Sequence, residues 1–230
     1  MVTAKEVIVI ANKEVGYEEK KSANGINEKH TNAGSNNFTK YEKEVFGSNG
    51  NYWCASFVSW CFWSACKKDK KKATSILGTL SMSCEVIRQK FIKNDRYSKT
   101  PKVGDAIFFS GTRHAGANHI GIVTKVTSKE VHTVEGNTSS KEFDDNGGCV
   151  AKHVYSRTST RILGYGHPKY DEEKSVVKKT TSKAATAKTT TKKTTSNTTT
   201  AKTTTKKTTS KATTKKPVTK TTTKKTTTKK

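Results

Sequence analysis

The stretch "NYWCASFVSWCFW", residues 51–63, sets a cysteine behind a tryptophan at the head of an apolar run. Cys54 is therefore expected in the first turn of a buried helix. A thiol there faces backbone N–H groups without intrahelical partners and the positive end of the helix dipole. Both favour the thiolate, the form that attacks carbonyl carbon. Such a nucleophile needs a base, and the base needs a third group to fix its tautomer and orientation.

Six histidines are present: His30, His114, His119, His132, His153 and His167. Strand alternation separates several of them. Residues 119–126, "HIGIVTKV", and 130–137, "EVHTVEGN", alternate like the arms of a hairpin. A three-residue loop, Thr127-Ser128-Lys129, makes paired numbers sum to 256 and sets His119 opposite Asn137. Facing residues share one side of a sheet, and Glu135 follows by the two-residue period. His119, Glu135 and Asn137 are then expected to converge, with His132 on the other side. A two-residue loop would break that parity. Gly121 beside His119 is expected to leave room for a thiol or substrate. Ile120, Ile122 and Val126 are expected on the opposite, core-facing side.

Each of these residues has a plainer reading. A lone buried cysteine is more often packing than nucleophile, and only the company of His119, Glu135 and Asn137 reverses that for Cys54. Cys61, Cys66, Cys84 and Cys149 are expected to be structural thiols. No Cys-x-x-Cys pair exists, so no metal site is expected, and no cofactor. His30, His114, His153 and His167 read as loop or surface residues. His114, in "GTRHAGANH", competes as base, but a glycine-rich loop holds an imidazole poorly. Trp53 either lines a substrate groove or packs beside the helix start. Trp60 and Trp63 read as packing residues.

The elements that must position these groups follow from periodicity. Ala4, Val7, Ile8, Ala11 and Val15 mark one face of an amphipathic helix that Gly16 stops. Residues 22–37, rich in Asn, Gly and Ser, read as a long loop of the kind that is often functional. "FTKYEKEVFG" makes a short helix ending at Gly47, and "KKDKKKA" a solvated break. "SMSCEVIRQKFIKND" makes another helix, capped by Ser83. From residue 102 the period turns to two: "KVGDAIFFSG", the hairpin, "CVAKHVYSR" and "TRILGYGHP" are strand candidates. Helices followed by a meander of strands predict an α+β domain with a mostly antiparallel sheet.

In this order, "WCASFVSWC", "GDAIFF", "HIGIVTKV" and "VEGN" resemble the CHAP domain, the cysteine, histidine-dependent amidohydrolase/peptidase of the papain-like superfamily that also contains the NlpC-type peptidases. The resemblance runs from about Thr3 to Tyr170, and "ILGYGHPKY" is similar to the end of such domains in peptidoglycan hydrolases of phages and Gram-positive hosts. It implies that Cys54 is the nucleophile, His119 the general base and acid, Glu135 the group that orients the imidazole, and Asn137 a second polar member. The implied reaction is cleavage of a peptidoglycan amide, either between N-acetylmuramic acid and L-alanine or within the stem peptide and cross-bridge. Many relatives carry Gln where Trp53 stands. The Cys54 backbone N–H is then one oxyanion donor, and a side-chain amide of Asn49 or Asn51 a further candidate. No aspartate-rich loop of calcium-binding type is evident.

Composition divides the chain. It carries 44 Lys+Arg against 19 Asp+Glu, a net charge of +25 over 230 residues. Residues 172–230 hold 18 lysines and two glutamates, a net +16, and leave +9 to residues 1–171, which hold every Trp, Phe, Tyr and Cys. Residues 1–171 read as one domain. Residues 172–230 are mostly Thr and Lys, with "AKTTTKKTTS" at 187–196 and again at 201–210. Without large apolar side chains this tail cannot offset roughly 1–2 kcal/mol per ordered residue, so it is predicted to be disordered. Its charge fits teichoic acid or another polyanion, and its lack of aromatics argues against stacking on single strands. The first residues lack a secretion signal, and no run approaches a membrane span. Reduced thiols, a monomer, and synthesis in the cytoplasm of a phage-infected Gram-positive host are expected. Two other classes compete: a non-enzymatic basic protein binding nucleic acid or wall polymer, and a papain-like enzyme acting on protein or acyl-lipid thioesters.

Overall fold

The computed structural model describes residues 1–139 and 147–171. The tail assigned to 172–230 lies outside the described residues. Five helices precede a six-stranded antiparallel sheet, an α+β fold.

Helix α1, Ala4–Glu14, begins in a capping box. Thr3 accepts from the Glu6 N–H, and the Glu6 carboxylate returns to the Thr3 N–H at 2.8 Å. Helix α2, Lys40–Phe46, is capped by Thr39 and ends on Gly47 at φ 78°, a left-handed position suited to glycine. Helix α3, Cys54–Ala65, is apolar nearly all round, as a helix enclosed by neighbours must be: nine of its residues are buried. It packs on α1, α2 and α4 and on the sheet.

The expected break at "KKDKKKA" is in part a helix. Asp69 caps α4, Lys70–Leu77, by accepting from the Lys72 N–H at 3.0 Å. Its lysines, Lys70, Lys71 and Lys72, fill the first turn, and Ala73, Ile76 and Leu77 behind them are buried. The lysine run masked that three-residue apolar stripe. Helix α5, Cys84–Lys93, starts at Ser83, whose hydroxyl accepts from the Val86 N–H.

The sheet order is β1-β6-β2-β3-β4-β5, with β1 Tyr97–Ser98, β2 Ala106–Ser110, β3 Ala117–Val126, β4 Glu130–Thr138, β5 Cys149–Ser156 and β6 Ile162–Gly166. The expected meander holds from β2 to β5. The last strand instead returns to lie between β1 and β2. His167 clasps this return: Nδ1 meets Asp105 Oδ1 at 2.9 Å and Nε2 meets Ser98 Oγ at 2.8 Å. It is the loop residue expected, just beyond β6, and it also ties β1 to the turn before β2. Burial raises the Asp105 pKa, against the opposing pull of His167.

Both faces of the sheet are covered. Ala106, Phe108, Ile120, Ile122 and Val134 join the helices in the main core. Ile107, Phe109, Val123, Val131, Tyr155, Ile162 and Tyr165 form a second cluster made only of strand residues. Four successive residues of β2, Ala106 to Phe109, are therefore buried in place of alternating.

The hairpin register departs from the expected count and arrives at the expected pairing. The connection has four residues, because Val126 pairs with Val131. Paired numbers there sum to 257, which alone would turn Glu135 away from His119. The register shifts between Val123 and Lys125, leaving Thr124 as an extra residue on β3. Beyond the bulge Val123 pairs with Thr133 and Gly121 with Glu135, restoring the sum of 256. The bulge also moves Val126 to the second cluster, away from Ile120 and Ile122.

Candidate active site

Cys54 is the first residue of α3, and its thiol is buried. Trp53 occupies the N-cap position without a side-chain capping bond. The first N–H groups of the helix are thus left to face the site, as an oxyanion requires.

Three contacts fix the start of α3. Trp53 is fully buried, stacked on Tyr41 at 5.5 Å, and donates Nε1 to Glu19 Oε2 at 2.9 Å. It packs in the core and lines no groove. Glu19 comes from the segment that opens the long loop, itself tied down by Lys20 Nζ donating to the Lys29 carbonyl at 2.8 Å. Gly136 of β4 makes the third contact: a Cβ there would lie 2.5 Å from Phe57 Cβ and 2.8 Å from Trp53 Cζ3. The absent side chain lets α3 lie directly on β4.

His119 sits on β3 and is 3% exposed. Its Nε2 meets Glu135 Oε2 at 2.8 Å. That commits one nitrogen and leaves Nδ1 buried without a hydrogen-bond partner, on a ring whose ionisation the Cys54 thiol influences. Glu135 is held in turn by Tyr155, whose hydroxyl donates to Oε2 at 3.1 Å, and by the Thr133 hydroxyl, which donates to Oε1. Neither residue was expected in the site. Thr133 shares Glu135's face by the two-residue period and was open to the same argument. Tyr155 comes from β5 and left no local signal.

The gap at Gly121 is filled. A Cβ there would lie 2.5 Å from Glu135 Cγ, so the glycine makes room for the carboxylate and not for a thiol or substrate. His153, expected at the surface, is buried on β5, where Nε2 meets Thr138 Oγ1 at 3.0 Å and the ring stacks on Tyr155. Its charge, when present, also favours the ionised form of Glu135.

Electrostatics follow from this packing. Burial disfavours charge on His119 but is outweighed by hydrogen bonds and charge from Cys54 and Glu135, and the pKa is pushed up to about 10. Burial likewise opposes ionisation of Glu135, and His119 and Thr133 overcome it, lowering that pKa. Glu135 thus favours the protonated ring, and because part of the rise at His119 is the pull of an ionised Cys54, thiol and imidazole share one proton.

The main surprise is Cys84. It is the first residue of α5, as Cys54 is of α3, and the two thiols are near enough to perturb each other's ionisation. That interaction and burial push Cys54 well up against the pull of His119, and the same interaction draws Cys84 down. Cys84 Sγ also lies 3.1 Å from the Ala117 carbonyl oxygen, an acceptor only a protonated thiol can satisfy. The two sulfurs therefore compete for one proton. When it rests on Cys84 and points to Ala117, the negative charge belongs to Cys54.

The remaining expected residues are elsewhere or differently engaged. Asn137 is buried two residues beyond Glu135 at φ 54°, where the β4–β5 register shifts. The Asn49 Oδ1 accepts from the Thr39 N–H at 2.7 Å, and the Asn51 amide donates to Glu42. Both amides thus brace α2. His114 is in the β2–β3 loop, with Nδ1 against the Ala115 carbonyl, and does not approach Cys54 as the base. His132 points to the other side of the sheet from Glu135, as alternation predicts. Among the described residues no group of three or more His, Cys, Asp or Glu could hold a metal ion. Among the same residues no helix is long and apolar enough to cross a membrane.

Residues 46–137 match the family model of the CHAP domain. The segment includes Cys54, His119, Glu135 and Asn137. No curated protein matches the chain. Similar solved structures include two of Ly7917, one of them with the hydrolyzing product of MDP. They are 16% and 18% identical, each with a TM-score of 0.42, and each match covers 72% of this chain. The chain spans 62% of the length of those structures.

Proposed function

We propose that the protein is a peptidoglycan hydrolase that cleaves an amide bond through Cys54 and His119. The carrying observation is the buried His119–Glu135 pair at 2.8 Å, electrostatically coupled to a cysteine at the head of α3, inside a segment that matches the CHAP domain. The Cys54 proton passes to His119, and the thiolate attacks the amide carbonyl carbon. The N–H groups at the head of α3 receive the oxyanion. Protonated His119, held by Glu135, gives its proton to the leaving amine. Water then attacks the thioester with the same imidazole as base, and the acid product leaves. Glu135 is a positioning residue throughout, because it acts through the ring.

The enzyme is read as a lysin of phage origin, with residues 1–171 as the catalytic domain. The 172–230 tail, at +16, holds it near anionic wall polymer such as teichoic acid. The test is digestion of purified Gram-positive peptidoglycan followed by mass spectrometry of the fragments. A new amino terminus on L-alanine identifies an amidase, and one within the stem or bridge an endopeptidase. Digestion of nucleic acid complexes, proteins or acyl thioesters in place of peptidoglycan would overturn the reading.

A further inference from the structure

Cys84 has no part in the reaction just described, yet it occupies the head of a second helix that converges on the nucleophile. Both sulfurs are nearly enclosed, with residue exposures of 3% for Cys54 and 6% for Cys84. Each is at a helix start, where N–H groups favour thiolate over thiol. The Cys84 thiol reaches both Cys54 and the Ala117 carbonyl, two residues before His119. Helices α3 and α5 come into contact, and each carries its cysteine as its first residue. The other three cysteines are placed differently. Cys61 and Cys66 lie further along α3 and at its C-terminal end, and Cys149 Sγ donates to the Thr138 carbonyl on the far side of β4.

We propose that Cys54 and Cys84 form a reversible disulfide that switches the enzyme off under oxidising conditions. The oxidant is a hydroperoxide. A thiolate of the pair attacks one peroxide oxygen, giving a sulfenic acid and hydroxide. The remaining thiol then attacks the sulfenic sulfur, forming the S–S bond and releasing water. The hydroxide takes the proton lost when the thiolate formed, so two thiols and one hydrogen peroxide yield one disulfide and two waters. A dithiol reductant reverses the change. In the oxidised state the Cys54 sulfur is bonded to that of Cys84 and is no longer a thiolate able to attack a carbonyl. Cys84 is thus a resolving thiol that protects the nucleophile from irreversible oxidation.

The loss of activity rests on Cys54 being the nucleophile; the covalent bond does not. The test treats the full-length protein with hydrogen peroxide, blocks remaining thiols, digests without reductant and maps linked peptides by mass. Peptidoglycan turnover is followed before oxidation, after it, and after dithiothreitol. The expected result is a Cys54–Cys84 peptide pair lighter by two hydrogens, a fall in turnover of roughly tenfold or more, and recovery with dithiothreitol. Cys84→Ser is compared with itself before and after treatment, so any change in its starting rate cancels. It should lose turnover without recovering, because its sulfenic acid has no partner and proceeds to the sulfinic acid. No Cys54–Cys84 peptide, or equal recovery in Cys84→Ser, overturns the proposal. A linked pair in a protein without hydrolytic activity at any stage would retain the disulfide and reject the nucleophile, so the two failures are distinct.

Discussion

At the scale of the residue, the site is a buried charge pair with a thiol against it. Glu135 sets the imidazole's orientation and its affinity for a proton. Glu135→Gln keeps the shape but removes the charge, so His119 holds its proton less tightly than at about 10. The alkaline limb of the kcat/KM profile should move to lower pH, and kcat should fall by ~10²-fold or more. An unmoved alkaline limb would show that Glu135 does not act through the ring. Tyr155→Phe removes one donor to Glu135 Oε2 and should shift the same limb in the same direction, by less. Cys54 and His119 were legible in the sequence because their chemistry is local: a thiol at the head of an apolar run, and an alternating strand. Cys84 was not. Its role arises from the meeting of two helix starts thirty residues apart, which no periodicity reports.

At the scale of the element, small backbone features put the groups in reach. Pairing His119's face with Glu135's was readable from alternation, but the assumed three-residue loop was one residue short. Thr124 supplies the compensating bulge. Sequence alternation is blind to such a pair of offsets, since loop length and bulge each change the count by one. Deleting Thr124 should turn Glu135 to the wrong face or melt the hairpin, and turnover should vanish either way. Gly121→Ala is the finer probe. Its Cβ would meet Glu135 Cγ at 2.5 Å, so the carboxylate must shift and kcat should fall by ~10-fold or more with the fold retained by circular dichroism. Gly136→Ala instead pushes on Phe57 and Trp53, and thermal unfolding should show a loss of ~1–3 kcal/mol.

Helix α5 adds a pH dependence of its own. Glu85 accepts from the Ala117 N–H and from Arg88, holding Cys84's helix to β3. Burial alone would raise its pKa, but these hydrogen bonds win and lower it from 4.5 to about 2. A depressed carboxylate contributes stability that is complete above pH 4.5 and lost as pH falls toward about 2. The group is partly exposed, so the contribution is about 1 kcal/mol. Glu85→Gln should flatten the acid limb of a stability-versus-pH curve; an unchanged limb would remove Glu85 from the account.

At the scale of the whole molecule, an aromatic-rich domain and a cationic tail answer to different forces. Composition alone divided them: all the aromatic side chains lie in residues 1–171, and +16 of the charge lies beyond. Chain order was harder to read. The return of β6 between β1 and β2 depends on the His167 clasp to Asp105 and Ser98, and the lysine-rich α4 was concealed by its own exposed face. If the tail acts through charge, removing residues 172–230 should leave turnover of soluble fragments unchanged and weaken wall binding most at low ionic strength. Equal wall binding by both forms at low salt would assign the tail another role.

The most direct measurement compares intact protein with Cys54→Ala on purified Gram-positive peptidoglycan, reading released amino termini by mass spectrometry. Unfolding temperatures are measured alongside. The intact protein should release one defined set of new amino termini, and Cys54→Ala, folded as well as its parent, should release none. Release by both at similar rates would mean that the sulfur at the head of α3 does not carry the reaction.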